Sequence, residues 1–194
     1  MKKQLHEMSN EELWELFPII LKEHNPQYKD WYETEKQRIL EKIKADDLAR
    51  INHIGSSAVD GLLAKPTIDI QLEIEGCCNV TQLTADLENI GWRLIKRESD
   101  PMALMFVKGY TPKGFADKVY HLHVKYLGNW SELYFRDYLI KHVDVAEEYG
   151  DLKRRLSHDF KHDRDRYTDE KSEFILKYSA MAKQEFQNKY KPSV

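Results

Sequence analysis

Apolar and polar residues alternate most strictly between Thr67 and Ile74. Side chains on a β-strand point alternately to opposite faces, so this stretch predicts a strand with one apolar face and one polar face. The apolar row comprises Ile68, Ile70, Leu72 and Ile74, and the polar row comprises Thr67, Asp69, Gln71 and Glu73. We expect the apolar row to face a core and the polar row, with its two carboxylates, to lie open to solvent.

The rest of the pattern predicts helices toward both ends of the chain and one sheet between them. Helical spacing follows Ser9, a typical N-capping residue, and this helix is expected to end near His24–Pro26. The other predicted helices are 28–44, 80–90, 131–141, 144–159 and 168–189, and the other predicted strands are 49–54, 92–96, 102–108 and 118–125. This order is typical of an α/β (α+β) domain, which we expect to span 1–194 with residues 1–24 as an N-terminal helical extension.

Composition excludes several classes of protein. The hydrophobic fraction of 41% is sufficient for a core, and the net charge of −3 gives no reason to expect nucleic acid or an anionic membrane as a partner. Cys77 and Cys78 are adjacent and cannot form a disulfide framework. No apolar stretch approaches the roughly 20 residues of a membrane helix, and Met1–Glu7 does not read as a secretion signal. We expect a cytoplasmic protein, and its oligomeric state stays open.

A Gly-Ser turn precedes the alternating strand and is the first candidate for ligand binding. Gly55 permits close approach of the backbone to a ligand, and a helix beginning after it would offer free N–H groups to an anion. Ser56 and Ser57 can donate hydrogen bonds to phosphate oxygens, while Asp69 can hold a bridging divalent cation. The alternative is a simple Gly-Ser helix cap beside a half-exposed strand.

His121 and His123 form the second candidate site. Alternation places both imidazoles on one face of a predicted strand, where they could bind a metal or transfer protons near pH 7. The alternative is a pair of partly exposed histidines on a polar sheet face. Spacing alone does not place this face beside Asp69.

Four basic residues are candidates for binding phosphate: Lys65, Arg136, Lys153 and Arg154. Guanidinium groups match phosphate geometry well, and Lys65 directly precedes the alternating strand. Basic residues interleaved with acids on helices are, however, often only a solvated face.

Several segments together resemble the GrpB family. The signature runs through His53–Val59, Gly61–Leu62, Ala64–Pro66 and Ile68–Ile70, and it continues in His121–Val124, Phe135–Leu139, Tyr149–Arg154 and Tyr167–Ile175. That family resembles the polymerase-beta-type nucleotidyltransferase superfamily. The resemblance implies a nucleotidyltransferase-like mixed β-sheet flanked by helices, with N-terminal and C-terminal helices packed on it.

The resemblance also implies a chemistry, which this sequence only partly supports. Phosphates of a nucleotide or another phosphorylated small molecule would bind at Gly55–Ser57, and Asp69 would hold Mg²⁺ or Mn²⁺. The second acid of the superfamily falls on Gln71, and the strand expected to carry the third acid has His121 and His123 instead. The implied metal ligands are therefore Asp69, Glu73, His121 and His123.

Three functions remain open at this point. The first is metal-dependent nucleotidyl or phosphoryl transfer to an unidentified acceptor, with Asp69, His121 and His123 as the catalytic groups. The second is a non-catalytic ligand-binding or adaptor module with an eroded metal site. The third is a metal-dependent hydrolase that uses the histidine pair.

Overall fold

The computed structural model describes residues 3–192 and centres on one five-stranded sheet. The strands are β1 (Leu48–Ile54), β2 (Thr67–Ile74), β3 (Arg93–Ser99), β4 (Met102–Thr111) and β5 (Gly114–Tyr126). Their order across the sheet is β1-β2-β5-β4-β3. β2 and β5 are parallel, and the other neighbouring pairs are antiparallel, so the sheet is mixed.

Helices lie against this sheet in two groups. The α-helices are α1 (Asn10–Leu16), α2 (Tyr28–Leu40), α3 (Val80–Asn89), α4 (Ser131–Lys141), α5 (Val143–Asp159), α6 (Arg164–Asp169) and α7 (Ser172–Glu185). α2 and α3 share the main core with the sheet, whereas α4, α5 and α7 form a second apolar cluster with Val59 and Leu62. The predicted fold class, a mixed sheet flanked by helices, is confirmed.

The apolar row of β2 lies at the centre of the main core. Its four members, Ile68, Ile70, Leu72 and Ile74, are all fully buried. They belong to the same cluster as Tyr28 and Ile39 of α2 and Leu87 of α3. Burial of one such side chain stabilises the fold by about 1.5–3 kcal/mol. Because a slip by one residue would turn the polar row into this core, the register of β2 is strongly specified.

Parallel pairing of β2 with β5 brings the predicted polar groups together. Asp69 lies opposite His121, and Gln71 lies opposite His123. Opposed residues on neighbouring strands point to the same face of a sheet. The sheet therefore carries both histidines on the face that carries Asp69.

The polar row of β2 is not open to solvent, and that expectation is wrong. Thr67, Gln71 and Glu73 are buried, and only Asp69 is partly exposed. The loop after β5 and the chain beyond α7 cover one end of the row: the Gly128 N–H donates to Glu73, and the Tyr190 carbonyl accepts from Arg50, the neighbour of Glu73 on β1.

Glu73 is held by neighbouring residues instead of facing a ligand site. Arg50, its opposite residue on β1, donates from Nε to Oε1 at 3.1 Å and from Nη2 to Oε2 at 2.5 Å. The Gln71 amide donates to Oε1 at 2.9 Å and the Gly128 amide to Oε2 at 3.0 Å. Both carboxylate oxygens thus have two donors each, so the structure separates Glu73 from the implied set of metal ligands.

The first helix is shorter than predicted. α1 ends at Leu16, and Phe17 has φ −126° and ψ 63°, outside the helical region. Phe17 precedes Pro18, and proline disfavours the helical conformation in the residue before it. The chain then attaches to the fold through Ile19, whose N–H donates to the Lys161 carbonyl at 2.8 Å.

Other boundaries also differ from the prediction. α2 ends at Leu40, four residues early, and the helix expected after Gly55 is only a 3₁₀ turn at Ser56–Ala58. The predicted helix 168–189 is divided into α6 and α7, and it ends before Gln187, whose φ is positive. Residues 1, 2, 193 and 194 of the expected domain lie outside the described range. Within that range no helix combines the length and the apolar character needed to cross a membrane.

The buried ion pair gives a direct test of the fold. Arg50→Met should lower the free energy of unfolding by about 3–5 kcal/mol, because it leaves the Glu73 carboxylate buried without a cation. Arg154→Met is the matched control, since Arg154 pairs with Asp151 where both side chains are more than half exposed. We expect the control to change stability by at most about 1 kcal/mol. Urea denaturation measures both, and equal losses would contradict the assigned role of Arg50.

Candidate functional site

A cleft of about 1160 Å³ lies between the polar face of the sheet and the helices α1 and α4–α7. Asp69, His121 and His123 lie on the sheet side of this cleft. Basic side chains that line it include Lys65, Lys153, Lys171 and Arg164, and aromatic side chains include Trp14, Trp130, Phe135, Tyr149 and Tyr167. The Gly-Ser turn, the strand carboxylate and the histidine pair therefore share one cleft.

The three sheet residues form a compact group of candidate metal ligands. His121 Nδ1 lies 3.0 Å from Asp69 Oδ1, and His123 Nε2 lies 3.9 Å from the same oxygen. One ligand atom from each residue lies within 4.8 Å of the others. His121 is buried, while Asp69 and His123 are partly exposed toward the cleft.

The electrostatics of this group favour an ionised carboxylate beside a neutral imidazole. Burial raises the pKa of Asp69, but the hydrogen bond with His121 and the neighbouring His123 ring outweigh it, so this pKa lies well below its usual range. Burial lowers the pKa of His121 in spite of the neighbouring carboxylate. At neutral pH the His121 Nδ1–H can therefore donate to Asp69, with Nε2 left as an acceptor.

Tyr110 supplies the partner of that second nitrogen. Its hydroxyl lies 2.7 Å from His121 Nε2, and Arg164 Nη2 donates to the same hydroxyl at 3.2 Å. Arg164 also donates to the Phe17 carbonyl, so the start of α6 is tied to the end of α1. A chain of hydrogen bonds thus fixes the orientation of the His121 ring.

Sequence reasoning missed Tyr110 because the strand pattern changes there. Lys108, two residues earlier, points to the opposite face and pairs with Glu35 of α2. The register shifts between Lys108 and Tyr110, where Gly109 has φ +90°. A glycine inside a strand often marks such a bulge, and this glycine was the available signal.

Gly55 brings the Gly-Ser turn against Asp69. Its φ is +71°, and a Cβ atom at this position would lie 2.6 Å from Asp69 Oδ2. The close approach that glycine permits is therefore to the strand carboxylate of the protein itself. Ser56 is the next residue after Gly55, so its side chain starts close to the Asp69 carboxylate.

The two serines of the turn differ in direction. The Ser56 hydroxyl lies 2.9 Å from Lys153 Nζ at the wall of the cleft. Ser57 is buried, and its hydroxyl lies 3.0 Å from Nε2 of His53, which stacks on Tyr32 of α2. Ser57 also borders the cleft, but its buried hydroxyl is engaged by His53, so Ser56 is the serine whose hydroxyl a ligand can reach.

Three lysines in the cleft have lowered pKa values. Burial, followed by the charges of Lys171 and Arg164, lowers the pKa of Lys65 to about 7. Burial, followed by the charges of Lys171 and Lys65, lowers the pKa of Lys153 to about 7. Burial lowers the pKa of Lys171 to about 8, although Asp69 opposes this shift. Lys171 was not a phosphate candidate in the sequence, although it lies in the segment Tyr167–Ile175 that resembles the GrpB family.

Arg136 and Arg154, two of the predicted phosphate ligands, do not line this cleft. Arg136 donates to the His53 carbonyl, the Asp137 carboxylate and the Tyr190 hydroxyl, and so it joins α4 to β1 and to the chain after α7. Arg154 borders a separate cavity of about 500 Å³. The structure brings together Gly55, Ser56, Lys65, Lys153 and the Asp69 group, and it leaves both arginines elsewhere.

Comparison with known proteins gives a consistent result. A family model described as GrpB protein matches residues 18–180. The glutamate-rich protein GrpB of Alkalihalophilus pseudofirmus is 32% identical over 161 residues, which are 81% of this chain and 91% of that protein. A UPF0157 protein of Pseudomonas aeruginosa is 37% identical over 128 residues, covering 66% of this chain and 52% of its own length. The chain therefore spans about half the length of that relative.

A solved structure is similar over most of the chain. The crystal structure of conserved protein GrpB from Enterococcus faecalis superimposes with a TM-score of 0.76 at 27% sequence identity. The match covers 87% of this chain and 99% of the Enterococcus chain.

The contact between Gly55 and Asp69 can be tested by a pair of alanine variants. Gly55→Ala should lower the free energy of unfolding by about 1–3 kcal/mol more than Gly61→Ala does. Both glycines have positive φ, 71° and 74°, but a Cβ at Gly61 would meet nothing within 4 Å. Thermal denaturation of the two variants isolates the clash with Asp69. Equal losses would show that only backbone strain, and no contact, restricts Gly55.

The lowered pKa of Lys153 predicts a pH dependence of stability. In the unfolded chain this lysine has its ordinary pKa of 10.5, against about 7 in the fold. Between these values the unfolded chain holds the extra proton, so the free energy of unfolding rises with pH. From about pH 7 to 8.5 we expect wild type to gain on the order of 1 kcal/mol more than Lys153→Met. Urea denaturation across this range measures the difference, and parallel profiles would contradict it.

Proposed function

Because the chain belongs to the GrpB family, and because its cleft places a two-histidine, one-carboxylate group beside basic side chains, we propose that it binds a nucleotide or a similar phosphorylated compound with a divalent metal. The observation that carries this proposal is the convergence of Asp69, His121 and His123 in the cleft that Lys65 and Lys171 also line. The proposed reaction is nucleotidyl or phosphoryl transfer.

The donor set fits a divalent transition metal. Two imidazoles and one carboxylate suit Mn²⁺ or Zn²⁺ better than Mg²⁺, which prefers oxygen ligands. His121 can present Nδ1 as a ligand if its Nε2–H donates to the Tyr110 hydroxyl at 2.7 Å. A metal-binding histidine commonly donates its second N–H to such a partner. Bound there, a divalent ion would polarise a phosphoryl oxygen and neutralise part of its charge.

The basic side chains favour an anionic ligand. Asp69 is the carboxylate that raises the pKa of both Lys65 and Lys171, and its effect is smaller than that of burial. The two ammonium groups also lie over the ring of Tyr167, at 5.6 and 4.3 Å from its centroid. A phosphate in the cleft would stabilise the charged form of these lysines and supply the missing negative charge.

The aromatic lining favours a ligand with a flat apolar portion. Trp14 of α1 and Trp130, which directly precedes α4, border the same cleft as the basic groups and are partly exposed. Aromatic side chains stack readily on nucleobases, with a contribution of about 1–3 kcal/mol per base. The cleft volume of about 1160 Å³ exceeds what a bare phosphate needs. A nucleotide matches both the charged part and the apolar part of this lining.

A second function is favoured by the same donor set. Replacement of superfamily carboxylates by His121 and His123 changes the site toward metals that typically serve hydrolases. Water would then be the acceptor in place of a hydroxyl group. A binding module without turnover is the third alternative, and it shares the ligand site but not the chemistry.

Calorimetry tests the binding site. We expect wild type to bind Mn²⁺, and to bind ATP in the presence of Mn²⁺. Asp69→Ala and His123→Ala should each weaken Mn²⁺ binding by about tenfold or more, which is the usual effect of losing a residue that supports a metal site. His158→Ala is the matched control, because this ring is 90% exposed on the surface. The control should bind as wild type does. Absence of binding to wild type, or equal binding by Asp69→Ala, would contradict the proposal.

Turnover separates the three functions. Incubation with ATP and Mn²⁺, followed by analysis of the products, shows transfer to an added hydroxyl acceptor, release of inorganic phosphate to water, or unchanged nucleotide. The first result supports the transferase, the second the hydrolase and the third the binding module.

A further inference from the structure

Lys153 is an unusual lysine in this protein. Its side chain projects from α5 and is 2% exposed. The lysines that form ion pairs in the described part of the chain do not include it. A buried ammonium without a carboxylate partner is costly, whereas a buried neutral amine is not.

The surroundings of Lys153 satisfy a neutral amine completely. Nζ hydrogen-bonds to the Leu63 carbonyl and lies 2.9 Å from the Ser56 hydroxyl. It also lies over the ring of Tyr149, 4.6 Å from the centroid. A neutral amine has two N–H donors and one lone pair. As an ammonium, Nζ donates to the Leu63 carbonyl and to Ser56 Oγ. Loss of one proton would leave a lone pair on Nζ that can accept the Ser56 O–H instead.

Burial and the charged groups near Lys153 oppose its positive charge. Burial acts first, followed by the charges of Lys171, Lys65 and Arg154, and together they lower its pKa to about 7. Lys65 and Lys171 differ, because Asp69 acts on both and raises their pKa values. Lys153 therefore shares its lowered pKa with Lys65, but among these three lysines it is the one that contacts a hydroxyl group in the cleft, that of Ser56.

Ser56 presents the matching hydroxyl to the cleft. It follows Gly55, whose contact with Asp69 places the turn beside the proposed metal group. Ser56 lines the cleft and is partly exposed, so a ligand can reach its Oγ. Because Lys153 is 2% exposed and Ser56 is partly exposed, a phosphate entering the cleft would meet Ser56 Oγ first, with Lys153 Nζ directly behind it.

We propose that Ser56 is a nucleophile toward phosphorus and that Lys153 is its general base. This inference rests on the proposed function only for its substrate class, a phosphorylated compound. The Ser56 Oγ forms a bond to phosphorus while the bond to the leaving oxygen breaks with its electron pair. The serine proton passes to Lys153 Nζ and then to the leaving oxygen.

The second half of the reaction restores the enzyme. Water or an acceptor hydroxyl attacks the phosphoserine, and the P–Oγ bond breaks as the new P–O bond forms. Lys153 takes the proton of the incoming group and returns one to Ser56 Oγ. Pairs of serine and lysine act in this way in acyl transfer on unrelated folds, so the proton chemistry has precedent.

Covalent labelling tests the pair without nucleotide or metal. We expect an alkyl fluorophosphonate to modify wild type once, with a bond from phosphorus to Ser56 Oγ and loss of fluoride, as peptide mass spectrometry would locate. The rate should rise through about pH 7, following the loss of a proton from Lys153, whose pKa is about 7. Lys153→Met should slow labelling by about 100-fold or more, the usual contribution of a positioned base.

Two controls keep the result interpretable. Ser99→Ala should retain wild-type labelling, because Ser99 is exposed on β3 and lies outside the cleft. Ser56→Ala should abolish labelling, and circular dichroism shows whether Lys153→Met is folded. If that variant does not fold, the pH profile of wild type decides the question. Absence of label on Ser56, a rate that rises with hydroxide without levelling, or unchanged labelling of folded Lys153→Met would overturn the proposal.

The two experiments distinguish an unreactive Ser56 from a cleft that does not bind nucleotide and metal. Calorimetry with Mn²⁺ and ATP reports binding whether or not Ser56 reacts. Labelling reports the reactivity of Ser56 whether or not a nucleotide binds.

Discussion

The candidate site depends on the parallel pairing of β2 with β5. In this register Asp69 lies beside His121, and the apolar neighbours Ile70 and Leu122 lie beside each other in the core. Both apolar residues are fully buried. The burial that fixes the two strands against α2 and α3 therefore also fixes the distance between the carboxylate and the imidazole. Movement of either strand by one residue would cost the core and the site together.

The polar face of the sheet is electrostatically divided along β2. At one end Glu73 is neutralised by Arg50 and by amide donors, so it stabilises the junction of sheet and chain terminus. At the other end Asp69 meets neutral imidazole, and the lysines near it have lowered pKa values. Two carboxylates that look equivalent in the sequence thus have different roles. Arg50 is the cause, because its two hydrogen bonds engage the Glu73 carboxylate and leave Asp69 as the carboxylate that faces the cleft.

Much of the fold follows from the sequence, because alternation on β2 and β5 determines which side chains share a face. The sequence also indicates the Gly-Ser turn and the histidine pair. It does not reveal pairing between strands, so the partnership of Glu73 with Arg50 is invisible before the register is known. Nor does it show the bulge beside Gly109, which turns Tyr110 toward His121 against the alternation of β4.

The phosphate-binding candidates on helices are the least predictable part of the site. Arg136 and Lys153 both look like basic residues on amphipathic helices, yet one joins elements outside the cleft and the other lies within it. The direction of each depends on how its helix packs on the sheet. Gly55 shows a related limit, since the glycine predicts a close approach but not which group approaches.

The different roles proposed for the three lysines follow from the close contact between Gly55 and Asp69. Gly55 has no Cβ, so Asp69 lies against the turn, and Ser56 is the next residue along the chain. The Asp69 carboxylate favours the ammonium forms of Lys65 and Lys171 against the larger effect of burial, which suits these two lysines to hold an anion. Lys153 contacts Ser56 and is acted on by cations alone, which suits it to accept a proton. A phosphorus atom within reach of Ser56 Oγ would therefore lie among an ionised carboxylate, two amines on which that carboxylate acts and one amine in contact with the hydroxyl. That combination is what nucleophilic attack on a phosphate requires, because the anion must be held while the hydroxyl loses its proton.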